Sequence, residues 1–182
     1  CVFSLGLLVK GVCAGGDESL ETSQAVRRAE EAIALLQQEL QNRLFSALQE
    51  QGPVGAVKIC RIEAGSIAHT IAKERGIELG RTSHKLRNPS NAPRTWMVPY
   101  LERAAGQPAS SVSQVVVDLD GRVGVLRPIA TGGLCLVCHG PRESFDPELR
   151  AVLSDLYPED RATGFREGEF RGFFWAEVRK SQ

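Results

Sequence analysis

The chain of 182 residues lacks a net charge, because 22 lysines and arginines are balanced by 22 aspartates and glutamates. A surface that binds polyanions needs an excess of cations, so neither nucleic acid nor an anionic membrane is expected as a partner. Internal repeats and low-complexity segments are also missing. The length favours one domain with at most an appended helix, which leaves little room for a separate output module.

The chain has no hydrophobic run long enough to cross a bilayer. Its apolar start, "CVFSLGLLVKGVCAGG", is short and ends in small residues, as the end of a secretory signal peptide does. We therefore expect cleavage after Ala14, a periplasmic location and no stable membrane span in the mature chain. The alternative is that this run is a buried strand or helix of the mature fold.

Cysteine is scarce, and removal of residues 1–14 would leave only Cys60, Cys135 and Cys138. Three cysteines cannot pair completely into disulfides. In an oxidising compartment such an odd set requires another explanation.

Glycine and proline are absent from about Ser19 to Gln51, where apolar residues recur every three or four positions. This spacing predicts a long amphipathic helix. Its apolar stripe is longer than a small sheet can cover, so pairing with a second copy of the chain or with a partner helix is expected, with packing inside the chain as the alternative. Pro53 is well placed to start a second helix that ends at Gly76.

The remaining elements favour an α+β fold. Two β-branched runs flank Asp120-Gly121, which predicts a β-hairpin. Short helices are expected around Trp96 to Arg103 and in "DPELRAVLSDLY", and "GEFRGFFWAEVR" is expected to form a closing strand. Helices followed by antiparallel strands imply a curved antiparallel sheet with helices packed against it. The chain is expected to divide into a signal-peptide remnant at residues 1–14, an N-terminal helix at 15–52 and a main domain at 53–182.

Cys135, Cys138 and His139 form the pattern C-x-x-C-H within "LCLVCHG". In this pattern the two thiols are joined to the vinyl groups of a haem and the adjacent imidazole ligates its iron. A chain of this composition is expected to contain the pattern by chance only about 0.002 times. A zinc site would require further ligands, and a thioredoxin-like redox pair would require a parallel βαβ setting. One covalently bound haem c, with its iron, is therefore the predicted cofactor.

Four segments carry a resemblance to a known family: "VKICRIEAGSIAHTIA", "GIELGRTSHKLRNPSNAPRTW", "LRPIATGGLCLVCHG" and "YPEDRATGFREGEFRGFF". Together they resemble the single-haem, c-type, PAS-like domain family of bacterial haem-binding sensor proteins over roughly residues 55–174. The resemblance implies a PAS-like fold at 53–182, one haem c, and a cysteine from the early helix opposite the motif histidine. The matching cysteine is Cys60. Met97 stands where the family usually has an acidic residue, which places a potential sulfur ligand where the family has none.

Four residues are candidates for the sixth iron ligand: Cys60, His69, His84 and Met97. His69 is nine residues beyond Cys60, so on one helix it faces the opposite side, about 13 Å further along the axis. Cys60 lies on the buried stripe of its helix, where a free cysteine is often only a small buried hydrophobe. With the resemblance, Cys60 and His139 are the expected metal ligands; Met97, His84 or an open position stay as alternatives.

Arg81 and Arg87 lie in a basic loop after the second helix. A haem carries two propionates, and the fork of a guanidinium suits a carboxylate, so these arginines are the expected propionate contacts. The alternative is an ordinary solvated loop.

The function expected from these features is that of a redox or gas sensor that works by a change of haem coordination. A plain periplasmic electron-transfer cytochrome is the alternative. An enzyme is not expected, because no Ser-His-Asp set or pair of carboxylates is evident. The redox partner or signalling protein is not identified by the sequence.

Overall fold

The computed structural model of the protein describes residues 14–180. The signal-peptide remnant expected at 1–14 lies outside the described residues apart from Ala14. The first element, α1, spans Ala14–Arg75 and is interrupted at Gly52, whose φ of 64° and ψ of −172° are not helical. Glycine adopts this conformation without the steric penalty of a side chain, and Pro53 then restarts the helix. The two helices predicted around this point are confirmed, with Gly76 at φ 61° after the second.

The two arms of α1, residues 14–51 and 53–75, form an antiparallel helical hairpin. Arg43 binds Glu63 through two hydrogen bonds of 2.5 and 2.9 Å, and Arg75 lies 3.8 Å from Glu31. Along one straight helix these pairs would be about 30 Å and 66 Å apart, at a rise of about 1.5 Å per residue. The chain therefore reverses direction at Gly52.

A four-stranded sheet follows. Its strands are β1 (Glu78–Thr82), β2 (Val115–Asp118), β3 (Arg122–Ala130) and β4 (Phe170–Arg179). Their spatial order is β1-β4-β3-β2, and each neighbouring pair is antiparallel. Asp120 and Gly121 have φ values of 51° and 78° in the two-residue turn between β2 and β3. This is the turn that the dipeptide predicts, and the α+β class is confirmed.

The helical hairpin covers one face of the sheet. The first arm contributes small and aliphatic residues that pack on the sheet interior, namely Ala25, Ala29, Ala32, Ile33 and Leu36 against Val123, Val125, Phe174, Ala176 and Val178. Much of the apolar stripe of this arm is thus buried inside the chain. This agrees with the alternative prediction, in which the stripe packs within the chain instead of pairing with another helix. Phe45 remains 54% exposed on its outer part. A homodimer through this helix stays a prediction.

The opposite face of the sheet is covered by helix α2, Val98–Ala104, and the loop around it. Met97 is fully buried there with Leu101, Leu126 and Phe173. Two further helices lie between β3 and β4: α3, Leu136–His139, and α4, Pro147–Leu156. The short helix near Trp96, the helix in "DPELRAVLSDLY" and the last strand are therefore confirmed. None of the helices in residues 14–180 is long and apolar enough to span a membrane.

Candidate functional site

The C-x-x-C-H motif forms a short helical turn directly after β3. A 3-10 turn at Gly133–Cys135 leads into α3, and the Gly140 amide closes the turn by donating to the Leu136 carbonyl at 2.9 Å. Residues three apart on a helical turn lie on the same side, so Cys135 and Cys138 face one direction. All three cysteines of the described chain are free thiols. The turn thus presents two thiols side by side, with the imidazole of His139 beside them.

His139 is held by a backbone carbonyl on one side of its ring. Its Nδ1 lies 2.6 Å from the Ala162 oxygen, and a carbonyl only accepts, so Nδ1 is the nitrogen that carries the proton. The Phe165 amide also donates to the His139 carbonyl at 3.0 Å. Burial, followed by the charges of Arg171 and Arg87, lowers the pKa of His139 well below its ordinary value. The ring is therefore neutral near neutral pH, with Nε2 free to ligate a metal.

Arg87 and Asp160 clamp the motif to the segment that precedes β4. Arg87 Nε pairs with the Asp160 carboxylate at 3.0 Å, and the two side chains are only 13% and 3% exposed. Arg87 Nη2 donates to the carbonyls of Cys138 at 2.5 Å and Ala162 at 3.4 Å. Asp160 also accepts from the Ala162 amide at 2.8 Å. Arg87 therefore fixes the chain on both sides of the motif, and only Nη1 is free for another contact.

Cys60 lies on the second arm of α1, facing the motif. An apolar cluster joins this arm to α4, and it contains Val57, Tyr157 and the partly buried Cys138. Burial raises the pKa of Cys138, the charge of Arg87 opposes this, and a charge on Cys60 adds to the rise. Burial raises the pKa of Cys60 itself, and the neighbouring charges of Arg81 and Arg43 oppose this. The apolar cluster thus packs the arm that carries Cys60 against the motif.

Arg81 is solvent-exposed at the end of β1. Desolvation by the surrounding protein nevertheless lowers the pKa of its guanidinium, and charges on Cys60 and Tyr157 oppose that shift. Solvent therefore reaches the side chain although protein atoms surround part of the guanidinium. Arg81 thus lies near Cys60 without an ion pair among the described residues, whereas Arg87 is largely engaged by protein groups.

The other expected ligand candidates lie elsewhere. Met97 is enclosed in the apolar cluster on the far face of the sheet. His69 is exposed on the helix, as its spacing from Cys60 predicts. His84 stacks on Phe170 with ring centroids 5.8 Å apart, and it meets Phe165 edge-on. Because Phe165 also meets the His139 ring at 6.4 Å, it stands between the two histidines.

Several residues of the site carry no motif of their own. Asp160, Ala162 and Phe165 lie in "YPEDRATGFREGEFRGFF", a segment that supports the family resemblance without revealing the role of each residue. Arg171 lies within β4, and its Nη2 is 3.4 Å from His139 Nδ1. The contacts that Asp160, Ala162, Phe165 and Arg171 make in this site are visible only once residues 157–174 are packed against the motif. Within residues 14–180 there is no group of three His, Cys, Asp or Glu side chains arranged to hold a metal ion, as the zinc alternative would require.

Comparisons with known proteins connect this site to one family. A family model described as Tll0287-like matches residues 17–178. The solved crystal structure of the cyanobacterial heme-protein Tll0287 is similar to this chain, with a TM-score of 0.66 and 26% sequence identity. The match covers 84% of this chain and 92% of that one. No curated protein matches the chain.

Proposed function

The chain belongs to the Tll0287-like family, and on that premise we propose that it is a periplasmic haem protein with one haem c. The thiols of Cys135 and Cys138 bind the haem covalently, and His139 ligates its iron. The PAS-like character of the sheet is part of the same proposal. When bound, haem supplies reversible one-electron iron chemistry and, at an open axial position, a binding site for diatomic gases.

The observation that carries this proposal is the hydrogen bond from His139 Nδ1 to the Ala162 carbonyl at 2.6 Å. Metal-ligating histidines commonly donate their other ring N–H to a carbonyl or carboxylate, which fixes the tautomer and the ring orientation. Here the imidazole is oriented in this way directly beside two free thiols of one helical turn. The donor set therefore fits a covalently attached haem.

Cys60 is the proposed second protein ligand that would hold the haem iron. It lies on the arm of α1 whose Val57 packs in one apolar cluster with Cys138 and Tyr157. The guanidinium of Arg81 lowers the cost of a negative charge on this sulfur. Arg81 is also the proposed contact of one propionate, because no side chain among the described residues pairs with it. Arg87 can offer a second contact through Nη1.

We propose that Cys60 makes the domain a redox or gas sensor. A thiolate stabilises ferric iron more than ferrous iron because it carries a full negative charge. Burial favours the neutral thiol of Cys60, so this sulfur would take up a proton readily when it does not ligate iron. The second arm of α1, which carries Cys60 and packs along the sheet, would pass a change at this sulfur to a partner.

An electron-transfer cytochrome is the second candidate function. It is favoured by the exposed apolar side chains of Leu134, directly before the motif, and Val137, within it, which could meet a redox partner close to the haem. A carrier keeps the same ligands in both oxidation states, whereas a sensor of this type exchanges one of them. The two functions are therefore separated by the coordination of the reduced protein.

The experiment that tests the attachment is intact mass spectrometry after periplasmic expression with c-type maturation factors. The wild type is expected to carry the mass of one haem, and Cys135→Ala at most a single, unstable attachment. Cys60→Ser is the matched control, because it removes a thiol of the same site and should keep the full haem mass. A wild-type mass equal to that of the bare polypeptide would contradict the proposal.

Electron paramagnetic resonance of the ferric protein tests the role of Cys60. Low-spin thiolate signals are expected in the wild type and in Met97→Leu, and they should vanish in Cys60→Ser. In the wild type, carbon monoxide should bind after reduction and should not bind to the ferric protein. An unchanged ferric spectrum in Cys60→Ser would remove Cys60 as a ligand, and unchanged coordination on reduction would favour the electron carrier.

A further inference from the structure

Arg171 enters the site through an irregularity of the sheet. On β3 the adjacent residues Ile129 and Ala130 pair with Gly172 and Phe170 of β4, so Arg171 is the extra residue of a β-bulge. A bulge commonly redirects a side chain next to a functional site. Gly172 is required beside it, because its φ is 150° and a Cβ atom there would lie 2.2 Å from the Thr82 carbonyl oxygen.

Ser83 holds both ends of Arg171. The Ser83 hydroxyl donates to the Arg171 carbonyl at 2.6 Å, and the same oxygen accepts from Arg171 Nη1 at 2.9 Å. Arg171 Nη1 also lies 3.5 Å from the Lys85 carbonyl, and the guanidinium covers the ring of Phe165 at 4.8 Å from its centroid. Backbone and side chain are therefore both fixed with respect to the loop that follows β1.

The guanidinium thus held lies against the motif histidine, with Nη2 3.4 Å from His139 Nδ1. Since Nδ1 already donates to Ala162, this approach joins two donors and is not a favourable hydrogen bond. Arg171 also forms no ion pair among the described residues. A guanidinium keeps its positive charge in proteins at neutral pH. An unpaired positive charge is therefore held beside His139 against its own electrostatic preference.

We infer that Arg171 sets the reduction potential of the proposed haem, through a fixed positive charge that the β-bulge places beside its histidine ligand. This inference rests on the proposed function, because it requires haem at the motif with His139 as a ligand. Ferric haem carries one more positive charge than ferrous haem, so a nearby cation disfavours the oxidised state. The partly desolvated position of Arg171 strengthens that effect, and the potential rises.

The test is a spectroelectrochemical titration of purified Arg171→Met, Arg171→Lys and wild-type holoprotein. Loss of the charge in Arg171→Met should lower the ferrous-to-ferric ratio at the wild-type midpoint about tenfold, which is ~59 mV for a one-electron couple. Arg171→Lys keeps the charge and should recover most of the wild-type value. Arg127→Met is the matched control, because Arg127 is a part-buried arginine of the neighbouring strand that contacts the Glu30 carbonyl instead.

Two results would overturn the inference. One is a midpoint of Arg171→Met that equals those of the wild type and Arg127→Met. The other is an equal shift in Arg171→Lys and Arg171→Met, which would assign the effect to packing rather than charge. If Arg171→Met does not fold, Arg171→Gln removes the charge while keeping a donor for Ser83, and the same expectations apply. Haem content is measured by mass on every sample, so a wild type without haem contradicts the proposed function instead.

Discussion

Two charged regions of the molecule lie against the same sheet and are built differently. The paired network consists of Glu78, Glu177, Arg94 and Arg122, two carboxylates and two guanidiniums that are joined by ion pairs. The arginine cluster consists of Arg81, Arg87 and Arg171, for which Asp160 is the one ion-pair partner among the described residues. The paired network is balanced, and the arginine cluster has an excess of two positive charges.

The difference separates a structural role from a functional one. In the paired network Glu177 is 7% exposed and accepts from Trp96 Nε1 at 2.8 Å, so its charge is satisfied within the protein. In the arginine cluster the excess of cations surrounds Cys60, Cys138 and His139. Like charges held close together without anions repel one another, so this excess marks the place where an anionic group is expected. Haem propionates and a cysteine thiolate would supply that charge.

The largest effect is expected from Asp160→Asn, which removes the carboxylate of the arginine cluster. Arg87 would be left with an uncompensated buried charge, and breaking such a pair costs about 3–5 kcal/mol. Urea unfolding of the ferric protein measures the loss. Glu63→Gln is the control, because it breaks the more exposed pair with Arg43, which is expected to cost clearly less. Equal losses in the two variants would show that Arg87 does not depend on Asp160.

An intermediate effect is expected in the paired network. Glu177→Gln leaves two guanidiniums without a buried carboxylate, at a cost of about 1–3 kcal/mol. Glu78→Gln alters the same network from a side chain that is 44% exposed, so its cost should stay below about 1 kcal/mol. Urea unfolding compares the two variants. A larger loss in Glu78→Gln would mean that burial does not govern this network.

The smallest effect is expected in how stability depends on pH. His84, near the arginine cluster, and Glu78, in the paired network, should lose their contributions over different pH ranges. Burial, followed by the charges of Lys85 and Arg171, lowers the pKa of His84 from its ordinary value of 6.5. The folded state then binds this proton less readily than the unfolded state, so stability should fall as the pH drops below 6.5. His84→Phe keeps the stack on Phe170 and removes an unpaired buried Nδ1, so it should abolish this loss without lowering stability at neutral pH.

Glu78 provides the contrast to His84, because its pKa is lowered from 4.5 by hydrogen bonds from Arg94 and Arg122. Its contribution to stability is present above that value and is lost only as the pH falls through its lowered pKa. Stability to thermal unfolding is measured across both pH ranges. The loss of stability below pH 6.5 should be absent in His84→Phe, and the loss below pH 4.5 should be absent in Glu78→Gln. Constant wild-type stability between pH 6.5 and 4.5 would contradict the shift assigned to His84.

Many elements of this fold could be predicted because their signals are local. The three- and four-residue spacing before Gln51, the Gly52-Pro53 break and the Asp120-Gly121 turn each depend on neighbouring residues and on backbone preferences. The C-x-x-C-H motif is local in the same sense, because its chemistry is carried by five consecutive positions. The sequence by itself therefore determined the element types and the place of the motif.

Tertiary structure alone decided which distant residues meet. The reversal at Gly52 packs the two arms together, and Met97 is directed into an apolar cluster rather than towards the motif. Asp160 and Arg171 come to His139 through a loop contact and a β-bulge that no short pattern announces. The physical reason is that these contacts arise from burial and hydrogen bonding between segments far apart in the chain, as between Ser83 and Arg171, which are 88 residues apart, and their free energy depends on the whole packed core.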